Sequence, residues 1–136
     1  MANTETNSRS TTTQTSKLVT NGAVVALSGS AAVAISEIDA TAYERATIQI
    51  KHGLSGSDTN TITAKVYGSL VDAAGTVGGS NWTQIGDDIT IANASSAMKS
   101  IATTGLRKLG VTMTVAGGGT PNFTADFCLV FLQGTI

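Results

Sequence analysis

The 136-residue sequence predicts an all-β fold: an antiparallel β-sandwich or jelly roll of roughly eight short strands, preceded by an extended polar N-terminal arm. Three observations predict it. Apolar and polar residues alternate with a period of two in one segment after another. The segments are divided by Gly, Asn and Asp turns, with 15 glycines against 1 proline. Ser and Thr make up about a quarter of the chain, and the β-branched Thr side chain suits a pleated surface.

Residues 1–16, "MANTETNSRSTTTQTS", are polar and without period. They have nothing to add to a core and read as an arm, which spans about 50 Å when fully extended. Thr11, Thr12, Thr13, Gln14 and Lys17 are its candidate contacts to a neighbouring subunit, and the sandwich domain is placed at 17–136. In "KLVTNGAVVALS", Asn21-Gly22 between apolar segments is a hairpin signal, because both central residues of a type I′ turn need positive φ. "AAVAIS" continues the meander.

"ATIQIK" turns Ala46, Ile48 and Ile50 inward and Thr47, Gln49 and Lys51 outward, and "TITAKVY" does the same with Ile62, Ala64 and Val66 against Thr63, Lys65 and Tyr67. The intervening "GLSGSDTN" reads as a flexible loop. Short strands follow at Trp82 to Ile85 and Ile89 to Ala92, on either side of a Gly86-Asp87-Asp88 turn. "ASSAMKSIATTG" is the best helix candidate, but it is too short and too rich in Ser and Thr to propagate. "KLGVTMTV" sets Leu109, Val111, Met113 and Val115 against Lys108, Thr112 and Thr114. On the last strand Phe123, Ala125, Phe127, Leu129 and Phe131 share one face. Cys128, Val130 and Leu132 make the other apolar too, so its end is expected to be covered on both sides.

Composition narrows the function. Charged residues are 12% of the chain and the net charge is -1, which excludes the basic field that draws nucleic acid or an anionic membrane. The single Cys128 lies among apolar neighbours and reads as a buried, inert thiol. The N-terminus has no apolar signal core, and no apolar run approaches the roughly 20 residues that span a bilayer, so the chain is expected to be made in the cytoplasm. The one histidine, His52, reads as a surface residue at a strand end and not as a general base. Asp87-Asp88 lacks the alternating ligand spacing of a calcium loop, and no phosphate-cradling loop or nucleophile elbow is present. The expectation is a non-enzyme with no catalytic residues, metal or cofactor.

Trp82 follows the most Gly-rich connection, "LVDAAGTVGGSN". It is either an anchor pointing back into the sandwich, or the platform of a glycan site with Tyr67 and Asn81, since aromatic faces stack on sugars. Aromatics are only 4% of the chain, which favours the anchor.

The succession "EIDATAYERATIQIKHG", "TITAKVYGSLVDAAGTVGGSNWTQIGDDITI", "GLRKLGVTMTV" and "FTADFCLVFL" resembles a β-sandwich type among minor virion proteins of tailed bacteriophages, over roughly residues 37 to 133. The matching positions are Gly68, Ser69, Asn81, Trp82, Thr83, Gln84, Ile85, Gly86, Gly105, Arg107 and Val111; the connection "LVDAAGTVGG" is longer than the pattern. The resemblance implies a capsid decoration (cement) protein of the virion. Its partners would be the major capsid protein or other virion proteins, and it would form a homo-oligomer, a trimer being favoured. A glycan-binding or host-attachment module of a phage tail or fibre, and a self-assembling extracellular filament subunit, are the alternatives.

Overall fold

A computed structural model describes residues 14–20, 32–52, 61–92, 94–116 and 127–135. The Asn21-Gly22 hairpin, the 53–60 loop, Phe123, Ala125 and Thr11 to Thr13 lie outside them. The described residues hold nine strands and no helix: β1 Gln14–Thr20, β2 Ala32–Asp39, β3 Arg45–Lys51, β4 Thr61–Ser69, β5 Thr83–Gln84, β6 Ile89–Ala92, β7 Ser96–Ala102, β8 Lys108–Ala116 and β9 Cys128–Thr135. β1 already begins at Gln14, so Gln14, Thr15 and Ser16 belong to a sheet.

The strands form two antiparallel sheets, one in the order β1-β9-β3-β7 and one in the order β2-β8-β4-β5 with β6 also on β4. The pairings are nested. β4 pairs β5 and β6, β3 pairs β7, β2 pairs β8 and β1 pairs β9, while β9 and β8 reach across to β3 and β4. A long antiparallel ribbon rolled up in this way is a jelly roll. β2 therefore lies in the opposite sheet from β1 and does not extend a meander with it. The predicted "WTQI" strand shrinks to Thr83–Gln84, since Trp82 leaves the ladder.

The core fills the space between the sheets. Ala46, Ile48 and Ile50 of β3, Ile62, Ala64 and Val66 of β4, and Leu109, Val111 and Met113 of β8 are buried there, as the period-two pattern predicts. Two strands differ from expectation. Ser96–Ala102 is a strand at the sheet edge where the sequence offered only a weak helix; its partner β3 and the burial of Ile101 hold it extended. On β9 the inward face is Cys128, Val130 and Leu132, which oppose Ile50, Ile48 and Ala46, whereas Leu129 is half-buried and Phe131 is exposed on the outer face. With both faces apolar, the period cannot choose between them, and the register to β3 does. Phe127, one residue ahead of the strand, is buried, and its carbonyl accepts the Lys51 N–H at 2.7 Å.

Because neighbouring strands are antiparallel, the short connections 40–44, 70–82 and 103–107 emerge at one end of the sandwich. Backbone bonds fasten them together. Arg107 N–H donates to Ser69 O at 2.9 Å, Ala40 N–H to Arg107 O at 2.9 Å and Thr103 N–H to Glu44 O at 2.9 Å. The buried Thr103 adds its hydroxyl to Tyr43 O at 3.0 Å.

Candidate functional site

Two surfaces carry side chains that the core does not explain. The first is the fastened end with its 70–82 connection. Ser69 Oγ donates to Asn81 O at 2.7 Å and accepts the Val71 N–H at 3.1 Å, which pinches the base of the loop. Asn81 Nδ2 approaches Ala74 O at 3.5 Å, and two tight turns follow within the loop, Gly79 N–H to Thr76 O and Trp82 N–H to Gly79 O. Gly78, at φ 87°, supplies the left-handed residue of the first turn.

The loop then lies back over the outer face of the five-stranded sheet. Ala74, Val77 and Trp82 form a second small core there, with Val33 and Tyr67 packed against it. Val77 sits directly on Gly110 of β8: a Cβ at that position would meet Val77 Cγ2 at 2.5 Å and Cγ1 at 2.8 Å. Thr112, expected outward and wet, does point outward but is buried, with the loop at Gly78 over it. Gly110→Ala should therefore lift the loop and lower the unfolding free energy by about 1–3 kcal/mol, the usual range for overpacking. A denaturation midpoint unchanged from wild type would refute this seating.

Trp82 is 7% exposed, and its Nε1 is buried with no hydrogen-bond partner among the described residues. The ring anchors the loop to the sheet's outer face, not the inter-sheet core. Tyr67 is half-buried beside it, while Asn81 is exposed with its carbonyl oxygen and side chain engaged in the loop. The structure thus gathers Tyr67, Asn81 and Trp82 around one loop. A sugar platform requires an open ring face, and this burial leaves Trp82 little of one. Ser69, Asn81 and Arg107, far apart in the sequence, also converge here, and Arg107 reaches Asp72 at 3.3 Å. Thr41 N–H donates to Asp39 Oδ1 at 3.0 Å, and this bond holds the Asp39 carboxyl below its ordinary range.

The second surface is the outer face of the four-stranded sheet. Its register places Leu18, Phe131, Thr47 and Ser100 in one row and Thr20, Leu129, Gln49 and Met98 in the next. Thr47 Oγ1 and Ser100 Oγ are 3.0 Å apart in a hydrogen bond. Leu18 is 59%, Met98 64% and Phe131 38% exposed; among the described residues the other large exposed apolar side chains are Leu70 and Val71, 69% and 44% exposed, at the fastened end. Of the expected arm residues, Gln14 opens β1 opposite Thr135, and Lys17 is exposed opposite Leu132. Lys17 borders a groove of about 410 Å³ between β1 and β2, with Val19 and Ile35. Sequence reasoning missed Leu18 and Met98. The signal was there in part: an apolar residue in an otherwise Ser- and Thr-rich strand.

The remaining candidates have structural places. His52 is buried, not at the surface as expected, and its backbone N–H donates to Ser95 O at 2.9 Å. Asp88 accepts from Gln84 Nε2 at 2.6 Å and faces Lys65 at 3.7 Å, while Lys99 Nζ donates to Asp87 O at 3.0 Å, so this turn is held by side-chain amide and ammonium groups. Cys128 is fully buried, which pushes its thiol from an ordinary 9.0 up to about 12. Below pH 9.0 both folded and unfolded thiols stay protonated. Between pH 9.0 and about 12 the unfolded thiol ionises first, so stability should fall as pH rises through that window. A Cys128→Ala variant should lack this part of the alkaline loss. The native thiol should also resist a disulfide reagent at pH 8 until denaturant is added, and prompt native reaction would contradict its burial.

The sequence matches no protein-family model and no curated protein. Among solved structures, the fold is similar to that of a Bacillus endospore appendage protein from a family described as disulfide-linked pili. The TM-score is 0.51 at 19% identity, covering 93% of this chain and 89% of that one. A chain of infectious bursal disease virus, Gx strain, aligns with a TM-score of 0.41 at 11% identity, over 90% of this chain but only 32% of the viral one. The first likeness establishes a shared β-sandwich fold.

Proposed function

We propose that this chain is a structural subunit of a larger assembly, and specifically a capsid decoration protein that binds and stabilises a phage shell. The observation that carries the reading is the outer face of the four-stranded sheet, where Leu18 of the edge strand β1, Phe131 of β9 and Met98 of the other edge strand β7 stand exposed. A polar segment of thirteen residues leads directly into β1. A flat apolar face next to a polar arm suits docking on a broad protein surface, with the major capsid protein or another virion protein as partner. The low charge of the chain, 12% charged residues at net -1, limits repulsion between crowded copies, and a small closed oligomer such as a trimer fits that role.

The test is a density gradient of the source material, with this chain quantified by mass spectrometry in every fraction. Co-sedimentation with a large particle at near-stoichiometric copy number is expected, and absence from particles would overturn the reading. Deleting residues 1–13 should leave the β-sheet circular dichroism intact and weaken particle binding. Unchanged binding would remove the arm from this account.

A second reading, a self-assembling filament subunit, draws on the likeness to the appendage protein across nearly the whole of both chains. Such filaments would not depend on cysteine bridges, because the one Cys of this chain is buried. Fibres formed by the purified chain alone, seen by negative-stain microscopy, would favour it over shell decoration.

A further inference from the structure

We infer that Lys17 and Lys99 guard the two long edges of this sandwich against strand addition. Copies of the chain then meet through their faces and not by extending one another's sheets. Among the described residues the fold has four edges, because β1 and β7 end one sheet while β2 and the β5-β6 pair end the other. An edge strand presents unpaired N–H and C=O groups to any second chain, and it pairs most readily where it is long and regular. Two of the edges are neither. β2 shifts its register to β8 twice, between Val33 and Ile35 and between Ile35 and Ile38, and β5 and β6 are only two and four residues long. β1 and β7 are the long ones: each has seven residues, pairs its neighbour residue for residue without a shift, and contains no proline.

Each of these two strands carries one lysine, and it stands at the centre. Lys17 has three residues of β1 on either side, and Lys99 has three of β7. Lys17 is registered on the buried Leu132 and Lys99 on the buried Ile48, so both belong to the inward phase of the sheet. In a full-length antiparallel pairing the middle residues oppose each other, whether β1 meets β1, β7 meets β7 or β1 meets β7 of a second copy. Every such pairing sets ammonium against ammonium on the side where a continued sandwich has its core. A slip of one residue turns all side chains to the wrong face, and a slip of two shortens the ladder and leaves both lysines in the inward phase. The lysines also stand at the two open sides of the sandwich. Lys99 Nζ donates to Asp87 O of the β5-β6 turn at 3.0 Å and lies 2.7 Å from where a Cβ on Gly86 would be. Lys17 borders the groove between β1 and β2 on the other side, with Glu37 and Asp39. Without these charges the topology favours extension: β1 and β7 run in opposite directions, so a copy displaced sideways brings its β1 against β7 of the first as an antiparallel pair. The device is independent of which assembly the chain joins, and its failure would leave particle binding untouched.

The experiment is sedimentation velocity on the full chain with Lys17→Val, Lys99→Val and the double variant, beside Lys51→Val, which removes a cation from the end of the inner strand β3 and opens no edge. Circular dichroism melts check folding. Lys17 is exposed, so Lys17→Val tests the inference even where loss of the Lys99 bond unfolds the other two. Relative to wild type, each single valine variant should gain dimers, with an association constant raised roughly tenfold or more, and the double variant should grow past dimer. Backbone amides of Gln14–Thr20 or Ser96–Ala102 should gain protection from hydrogen exchange as these species form, because the new ladder takes them up. Lys51→Val should sediment as wild type does. Valine variants that sediment as wild type at every concentration would overturn the inference. So would equal growth by Lys51→Val, or growth that leaves both edge strands unprotected, since either traces association to lost charge or to a face.

Discussion

Trp82→Ala should lower the unfolding free energy by about 3–5 kcal/mol, a range set by removing a large, nearly buried aromatic ring and leaving its cavity unfilled. The expected size depends on where the ring sits. Trp82, Val77 and Ala74 are the apolar underside of the 70–82 connection, and Tyr67 and Val33 are the sheet surface they cover. Without the indole the loop keeps its pinched base at Ser69 and Asn81 but loses its main apolar contact. Chemical denaturation followed by circular dichroism measures the difference, since the variant has no tryptophan fluorescence. Trp82→Phe makes a sharper comparison. It loses ring volume but also removes Nε1, a buried donor without a partner among the described residues, so its cost should be well below that of alanine. If alanine were tolerated within about 1 kcal/mol, the loop would not be a packed part of the fold.

The second large effect separates two adjacent residues of β9. Leu132→Ala should cost about 2–5 kcal/mol, while Phe131→Ala should cost less than about 1 kcal/mol despite deleting more atoms. Leu132 is fully buried between the sheets opposite Ala46, and Phe131 faces outward opposite Thr47 and Leu18. The paired denaturation midpoints read the register of the strand directly. The reverse order would place Phe131 in the core and shift every side chain of β9 to the other face.

This strand and this loop show how far the sequence is legible. β3, β4 and β8 could be read because each has one apolar and one polar face, so a period of two names the inward residues before any partner is known. β9 could not, because Cys128, Val130 and Leu132 compete with Leu129 and Phe131 on apolarity alone. β7 was missed because an edge strand is held extended by its neighbour, and Ser96–Ala102 carries little apolar signal of its own. His52 was misread for a related reason: its burial comes from the elements around it and not from its own neighbours in sequence.

At the site, the sequence favoured Trp82 as an anchor pointing back into the sandwich, whereas the ring packs on the outer face of the five-stranded sheet. Val77 finds Gly110 across more than thirty residues of chain, and only the folded sheet brings them into contact. The same holds for Ser69, Asn81 and Arg107, whose types hint at a turn but whose meeting requires three connections to emerge at one end.

By itself, then, the sequence determined an all-β sandwich with its alternating core, its glycine turns and a weakly charged surface, because periodicity, turn chemistry and charge are local properties of the chain. The tertiary structure alone decided the nesting of strand pairs into a jelly roll, the phase of β9 and the loop folded over the outer face. It also decided the division of the exposed apolar side chains among the described residues between the outer face of one sheet and one end of the sandwich. Those features depend on which distant residues become neighbours, and that is settled when the sheets pack.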